Sequence, residues 1–87
     1  MSTLKIEDVG DTVEVVVWFK AGRIMPLRFR WRGRTYKVRN VNADWQSEIG
    51  ATRFHHYAVM SDAPDVYELS YNEHTYAWKL EKVAVDG

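Results

Sequence analysis

From Leu27 to Arg32 the chain alternates without a break, with Leu27, Phe29 and Trp31 in one phase and Arg28, Arg30 and Arg32 in the other. Successive side chains of a strand leave opposite faces, so this stretch is a strand with one apolar and one basic face; a helix would spread rings and guanidinium groups around its whole circumference. A single strand cannot bury its apolar face, so neighbours are required. Gly33 and Arg34 stand where a two-residue hairpin turn fits, glycine supplying the positive φ such turns need. The hairpin then sets Trp31 against Tyr36, Phe29 against Val38, Arg30 against Lys37 and Arg28 against Arg39. A one-residue slip would turn the aromatic face into water.

On the other side, residues 12–20 are dense in β-branched and aromatic types suited to a pleated surface. A turn at Ala21 to Arg23 places Glu14 beside Arg30 and Val16 beside Arg28, while Val13, Val15 and Val17 join the aromatic face. Beyond Val38 the apolar phase changes, since Val41, Ala43 and Trp45 are odd-numbered where Tyr36 and Val38 are even. A bulge near Arg39-Asn40 reconciles the two phases and curves the sheet; a change of packing partner is the rival explanation. Residues 46–52 read as a loop or a single helical turn, and 53–60 as a further strand. A last hairpin sets 65–72 against 75–83 around Asn72 to Thr75, with Tyr71 facing Tyr76, Leu69 facing Trp78, Tyr67 facing Leu80 and Glu68 facing Lys79.

The expected fold is therefore all-β, about six antiparallel strands in a meander that forms a curved sheet or a small, partly open barrel. With 87 residues there is room for one core. Residues 12–87 are expected to form a single domain and residues 1–11 a loosely ordered N-terminal segment. The chain is 46% hydrophobic and 28% charged, a globular balance rather than a disordered one.

Formal net charge is zero, unlike a dedicated nucleic-acid binder, and the absence of cysteine excludes thiolate chemistry and disulfides. No apolar run reaches the length of a membrane span and Met1 to Gly10 lacks the pattern of a secretory leader, so the expected location is cytoplasmic, without membrane contact. His55 and His56 are adjacent, hence on opposite faces of a strand, and His74 lies in a turn, which is a poor start for a metal site. No glycine-rich phosphate loop and no local Ser, His and Asp signature is present, so neither an enzyme nor a cofactor is expected.

The densest chemical feature is the basic face, where Arg28, Arg30, Arg32, Lys37 and Arg39 point the same way. Like charges opposite one another are destabilising, so an acidic group must face them. Glu14 is the internal candidate, with Glu7, Asp8, Asp11, Asp44 and Glu48 in flanking segments. The outcome is a salt-bridged solvent face, a phosphate or nucleic-acid contact, or a partner's acidic patch. Phe29, Trp31 and Tyr36 fall on the opposite face, which disfavours base stacking beside the arginines. Trp18 leaves its strand outward and, on a sheet edge, is an anchor for a second copy or a partner strand.

Phe29-Arg30-Trp31-Arg32-Gly33-Arg34-Thr35-Tyr36-Lys37-Val38, then Tyr67-Glu68-Leu69-Ser70-Tyr71 and Trp78-Lys79-Leu80, resembles an uncharacterised family of small bacterial all-β domains. In that family a Phe-x-Trp-x-Gly-x-x-Tyr strand pair precedes a hairpin with Tyr-x-Leu and Trp-x-Leu. The resemblance covers about residues 25–83; some members of that family are associated with error-prone, translesion-type polymerase proteins, and the resemblance thereby implies an accessory role in DNA repair. The expected function is a non-catalytic binding or accessory domain acting through protein contacts, self-association included. The alternative is single-stranded nucleic-acid binding on the basic face.

Overall fold

The computed structural model describes residues 4–86, which form β1 (Leu4–Lys20), β2 (Arg23–Trp31), β3 (Arg34–Lys37), β4 (Asn40–Ile49), β5 (Thr52–Met60), β6 (Val66–Asn72) and β7 (Trp78–Asp86). Every pairing is antiparallel, and the strands make one open sheet in the order β3-β2-β1-β7-β6-β5-β4. Among the described residues no helix is long and apolar enough to cross a membrane.

The expected loose segment is sheet from Leu4 onward, residues 1–3 lying outside the described residues. The first half of β1 pairs with β7, setting Ile6 opposite Ala84 and Asp8 opposite Lys82, and Gly10 at φ 71° marks the register shift between Asp8 and Asp11. The second half pairs with β2, from Glu14↔Arg30 to Lys20↔Arg23. β1 thus passes from one ladder to the other, and β7 accompanies it only as far as Val13.

Seven strands replace the expected six because the third divides. Val38 N–H donates to Leu27 O on β2 at 2.9 Å, and the next amide, Arg39 N–H, donates to Met60 O on β5 at 2.8 Å. Consecutive amides point to opposite edges, so the chain exchanges its partner here, and this explains the change of apolar phase. A further shift falls between Val41 and Ala43 rather than at Arg39-Asn40. Residues 46–49 extend β4 instead of forming a loop or helical turn, and Gly50-Ala51 turns the chain into β5.

Both predicted hairpins form; the register of the first is displaced by two, that of the last by two as far as Leu69 and by three beyond the shift between Glu68 and Leu69, and Tyr76 is exposed rather than on the apolar face. In the first, Arg32 and Gly33 hold φ of 50° and 74° and form the turn, so Phe29 meets Tyr36 and Arg28 meets Lys37. Two consecutive positive φ values are what a two-residue turn matching strand twist demands. In the last hairpin Asn72 Oδ1 accepts from His74 N and Thr75 N, and Tyr76 takes φ 62°. That loop is longer than expected, and Tyr71 faces Trp78, Leu69 faces Leu80 and Glu68 faces Lys82. The β1–β2 turn is Ala21-Gly22, one residue shorter than expected, but an extra residue in β2, Leu27, restores Glu14↔Arg30 and Val16↔Arg28. Leu27 is consequently exposed rather than part of the aromatic face.

The sheet curls until β2 and β3 pack on β6: Phe29 stacks on Tyr36 with centroids 5.0 Å apart and meets Tyr67 edge-on at 5.3 Å. Val13, Val59, Leu69, Leu80 and Val83 complete a core closed on the concave side.

Candidate binding edge and basic face

The convex face of β1, β2 and β3 is assembled by two registers already given. Glu14 lies opposite Arg30, Val16 opposite Arg28, and Arg28 opposite Lys37. The five predicted cations do not share one fate. Arg32, in the turn, sits 3.8 Å from Asp11 and stacks over the Trp31 ring at 4.5 Å. Asp11 also accepts from Trp31 Nε1 at 2.9 Å, which fixes its carboxylate. Arg39, beyond the partner exchange, donates from Nε to Asp62 at 2.8 Å. Among the described residues Arg28, Arg30 and Lys37 have no carboxylate oxygen within 4.0 Å; Glu14 is their cross-strand neighbour but makes no ion pair. Three cations therefore face solvent side by side.

Trp18 belongs to this same face. It lies opposite Met25, is 51% exposed, and holds Lys20 Nζ 5.1 Å from its ring centroid. Although β1 is interior to the sheet order, its half from Glu14 to Lys20 has a strand on the β2 side alone, since the β7 ladder stops at Val13. Trp18 therefore stands on a local edge, and Val16 and Phe19 are exposed beside it. An open groove of about 630 Å³ adjoins the ring, lined by Trp18, Met25, Pro26 and Leu27 on one side and Val38 and Val41 on the other. It is the space left where β2 and the start of β4 splay apart after the exchange at Val38-Arg39.

The concave mouth carries a second group of polar side chains that sequence reasoning did not assemble. Arg23 reaches Asp44 at 3.4 Å, Arg53 reaches Glu48 at 3.2 Å, and His55 Nε2 lies 2.5 Å from Glu73 Oε2. Tyr57 donates its hydroxyl to Ile24 O at 2.9 Å, joining β5 to β2 across the mouth. Burial pushes the Tyr57 phenol above its ordinary value near 10, with Asp44 adding to the rise and Arg23 opposing it. Arg23 and Arg53 each meet a carboxylate and His55 meets Glu73, so the mouth reads as an internal clasp.

His55 and His56 leave β5 on opposite faces. His56 stacks on Trp45 at 5.2 Å with Nε2 2.7 Å from Ser47 Oγ, while its Nδ1 is buried without a hydrogen-bond partner. A Ser–His couple with no acid on the second ring nitrogen lacks the group that would orient it as a base. The signal that could have found it is the β4–β5 register, which puts Trp45 opposite His56 and Ser47 two pairs further on, on the same face.

A family model described as Domain of unknown function (DUF6504) matches residues 5–84. Among curated proteins and among solved structures nothing matches the chain.

Proposed function

We propose, from the premise that the chain belongs to the family described as Domain of unknown function (DUF6504), that it is a non-catalytic binding domain acting through protein contacts at the overhanging half of β1. The observation that carries this reading is the edge from Glu14 to Lys20: it has a strand on one side only and presents Val16, Trp18 and Phe19 to solvent. An unpaired edge offers backbone donors and acceptors to an added strand, and exposed side chains at alternate positions supply specificity. A half-exposed tryptophan beside an apolar groove is the residue type that dominates contact energies. Screening displayed extended peptides is expected to enrich sequences alternating apolar residues. Their affinity should fall about 30-fold in Trp18→Ala, the loss of a hot-spot side chain worth about 2 kcal/mol. Peptides that bind the variant and the native chain equally would overturn the reading.

A second reading, single-stranded nucleic-acid binding, is favoured by one specific observation: Trp18 shares its face with Arg28, Arg30 and Lys37, none of which meets a carboxylate among the described residues. Arginine donates two parallel hydrogen bonds to phosphate, and an exposed ring accepts a base. The accessory role in repair beside a translesion-type polymerase, implied by the resemblance, accords with it. Binding of labelled single strands is expected to weaken with salt at a log–log slope of about −2, from roughly 0.7 per neutralised phosphate. Arg30→Glu should weaken it further. Binding insensitive to salt and to Arg30→Glu would exclude this face as the contact.

A further inference from the structure

We infer that the strand which completes the β1 edge is β1 of a second copy of this chain, paired antiparallel about a two-fold axis at Val17. The inference rests on the reading of Glu14 to Lys20 as a protein-contact edge and names its occupant.

The other free edges are guarded. β3 has four residues, two of them the cations Arg34 and Lys37. The part of β2 that β3 does not cover carries Pro26, which has no amide to donate, and the extra residue Leu27. The free edge of β4 exposes Trp45 and Ile49 but interrupts them with Asp44 and Glu48 and is irregular between Val41 and Ala43, and the first half of β1, which has β7 on one side and no β2 ladder on the other, carries Lys5, Glu7, Asp8 and Asp11. Short length, proline, irregularity and charge are the means by which sheets avoid pairing with themselves. From Val15 to Phe19, β1 has neither proline nor charge, and the register shift between Val16 and Val17 places its extra residue, Leu27, on β2; five consecutive apolar residues follow Glu14 and precede Lys20.

The order of those seven residues is self-complementary. A two-fold axis at Val17 sets Val16 opposite the partner's Trp18, Val15 opposite the partner's Phe19, and Glu14 opposite the partner's Lys20. Each pair joins residues of the same face, as antiparallel pairing requires. Both ends close on opposite charges, and every interior position meets an apolar side chain. A displacement by one residue sets convex against concave side chains. A displacement by two toward the N-terminus runs into Val13, already paired with Trp78 of β7, and by two the other way sets Val16 opposite the partner's Lys20. One register alone uses the whole free edge. The exposure of Val16, Trp18 and Phe19, 45%, 51% and 70%, is what such a contact would cover.

A ladder of seven residues is small beside the roughly 1,600 Å² of a standard interface, so the dimer should be concentration-dependent. Sedimentation equilibrium of the full chain is expected to show a monomer–dimer equilibrium. Glu14→Lys and Lys20→Glu, each placing like charges opposite one another at both ends, should raise the dissociation constant at least tenfold. The double variant Glu14→Lys/Lys20→Glu should return it to within about threefold of the native value, and Phe19→Asp should give a monomer. All these positions are exposed, so loss of fold does not enter. A strict monomer at millimolar concentration, or a double variant no better than the singles, overturns the homodimer. Displayed peptides that still bind through Trp18 in that event would leave the contact edge standing with a different occupant.

Discussion

Phe29→Ala is expected to cost about 3–5 kcal/mol in unfolding free energy, the range for removing a fully buried aromatic ring. Phe29 is 1% exposed and sits where the curl brings β2 onto β6, stacked on Tyr36 and edge-on to Tyr67. Tyr36 also meets Tyr67 directly at 5.2 Å, so the loss of Phe29 removes the buried member of the three-ring cluster that holds the β1–β2–β3 ladder over the rest of the sheet. An 87-residue domain has on the order of 4–13 kcal/mol to lose, so the variant should be partly unfolded at room temperature. Urea unfolding followed by circular dichroism measures it. A loss below about 1.5 kcal/mol would show that the two parts of the sheet are not joined through this ring.

The same ring shows why the fold was legible and its registers were not. Alternation from Leu27 to Arg32 assigns faces, and a displacement of two leaves every face unchanged, so Phe29 is inward whether it meets Val38 or Tyr36. Only the turn separates the two. It rests on Arg32 accepting a positive φ, an arrangement that composition favours less than a turn opening on Gly33. The N-terminal half of β1 was missed because Ile6 stands among Lys5, Glu7 and Asp8 and shows no strong pattern; its order comes from β7, more than 70 residues later. The basic face was legible as a pattern along two strands. That Arg32 and Arg39 leave it depends on Asp11 and Asp62, whose proximity follows from the β1 bulge and the β5–β6 loop and has no local signature. The Ser47–His56 and His55–Glu73 contacts likewise exist only once β4, β5 and β6 are in register.

Trp78→Ala and Trp18→Ala remove the same side chain from a buried and from an exposed position. Trp78 opens β7, with Val13 of β1 on one side and Tyr71 of β6 on the other, and its ring lies 5.0 Å from Tyr71 and 5.7 Å from Tyr57. It is buried where the β7 ladder ends and the free half of β1 begins. Its removal is expected to cost about 3–5 kcal/mol, a large aromatic lost from a closed core. The cost should extend to the concave mouth, because Tyr57 holds Ile24 of β2 through its hydroxyl and would lose the ring it packs against. Trp18, half-exposed and stacked only under Lys20 among the described aromatic and cation contacts, should change stability by about 1 kcal/mol or less, as surface positions do. Chemical unfolding of the two variants side by side is the measurement. Equal losses would make Trp18 a core residue and remove the ground for assigning it a partner, whereas a large loss at Trp78 with little at Trp18 shows that the fold does not need the exposed ring and leaves it available to the proposed contact.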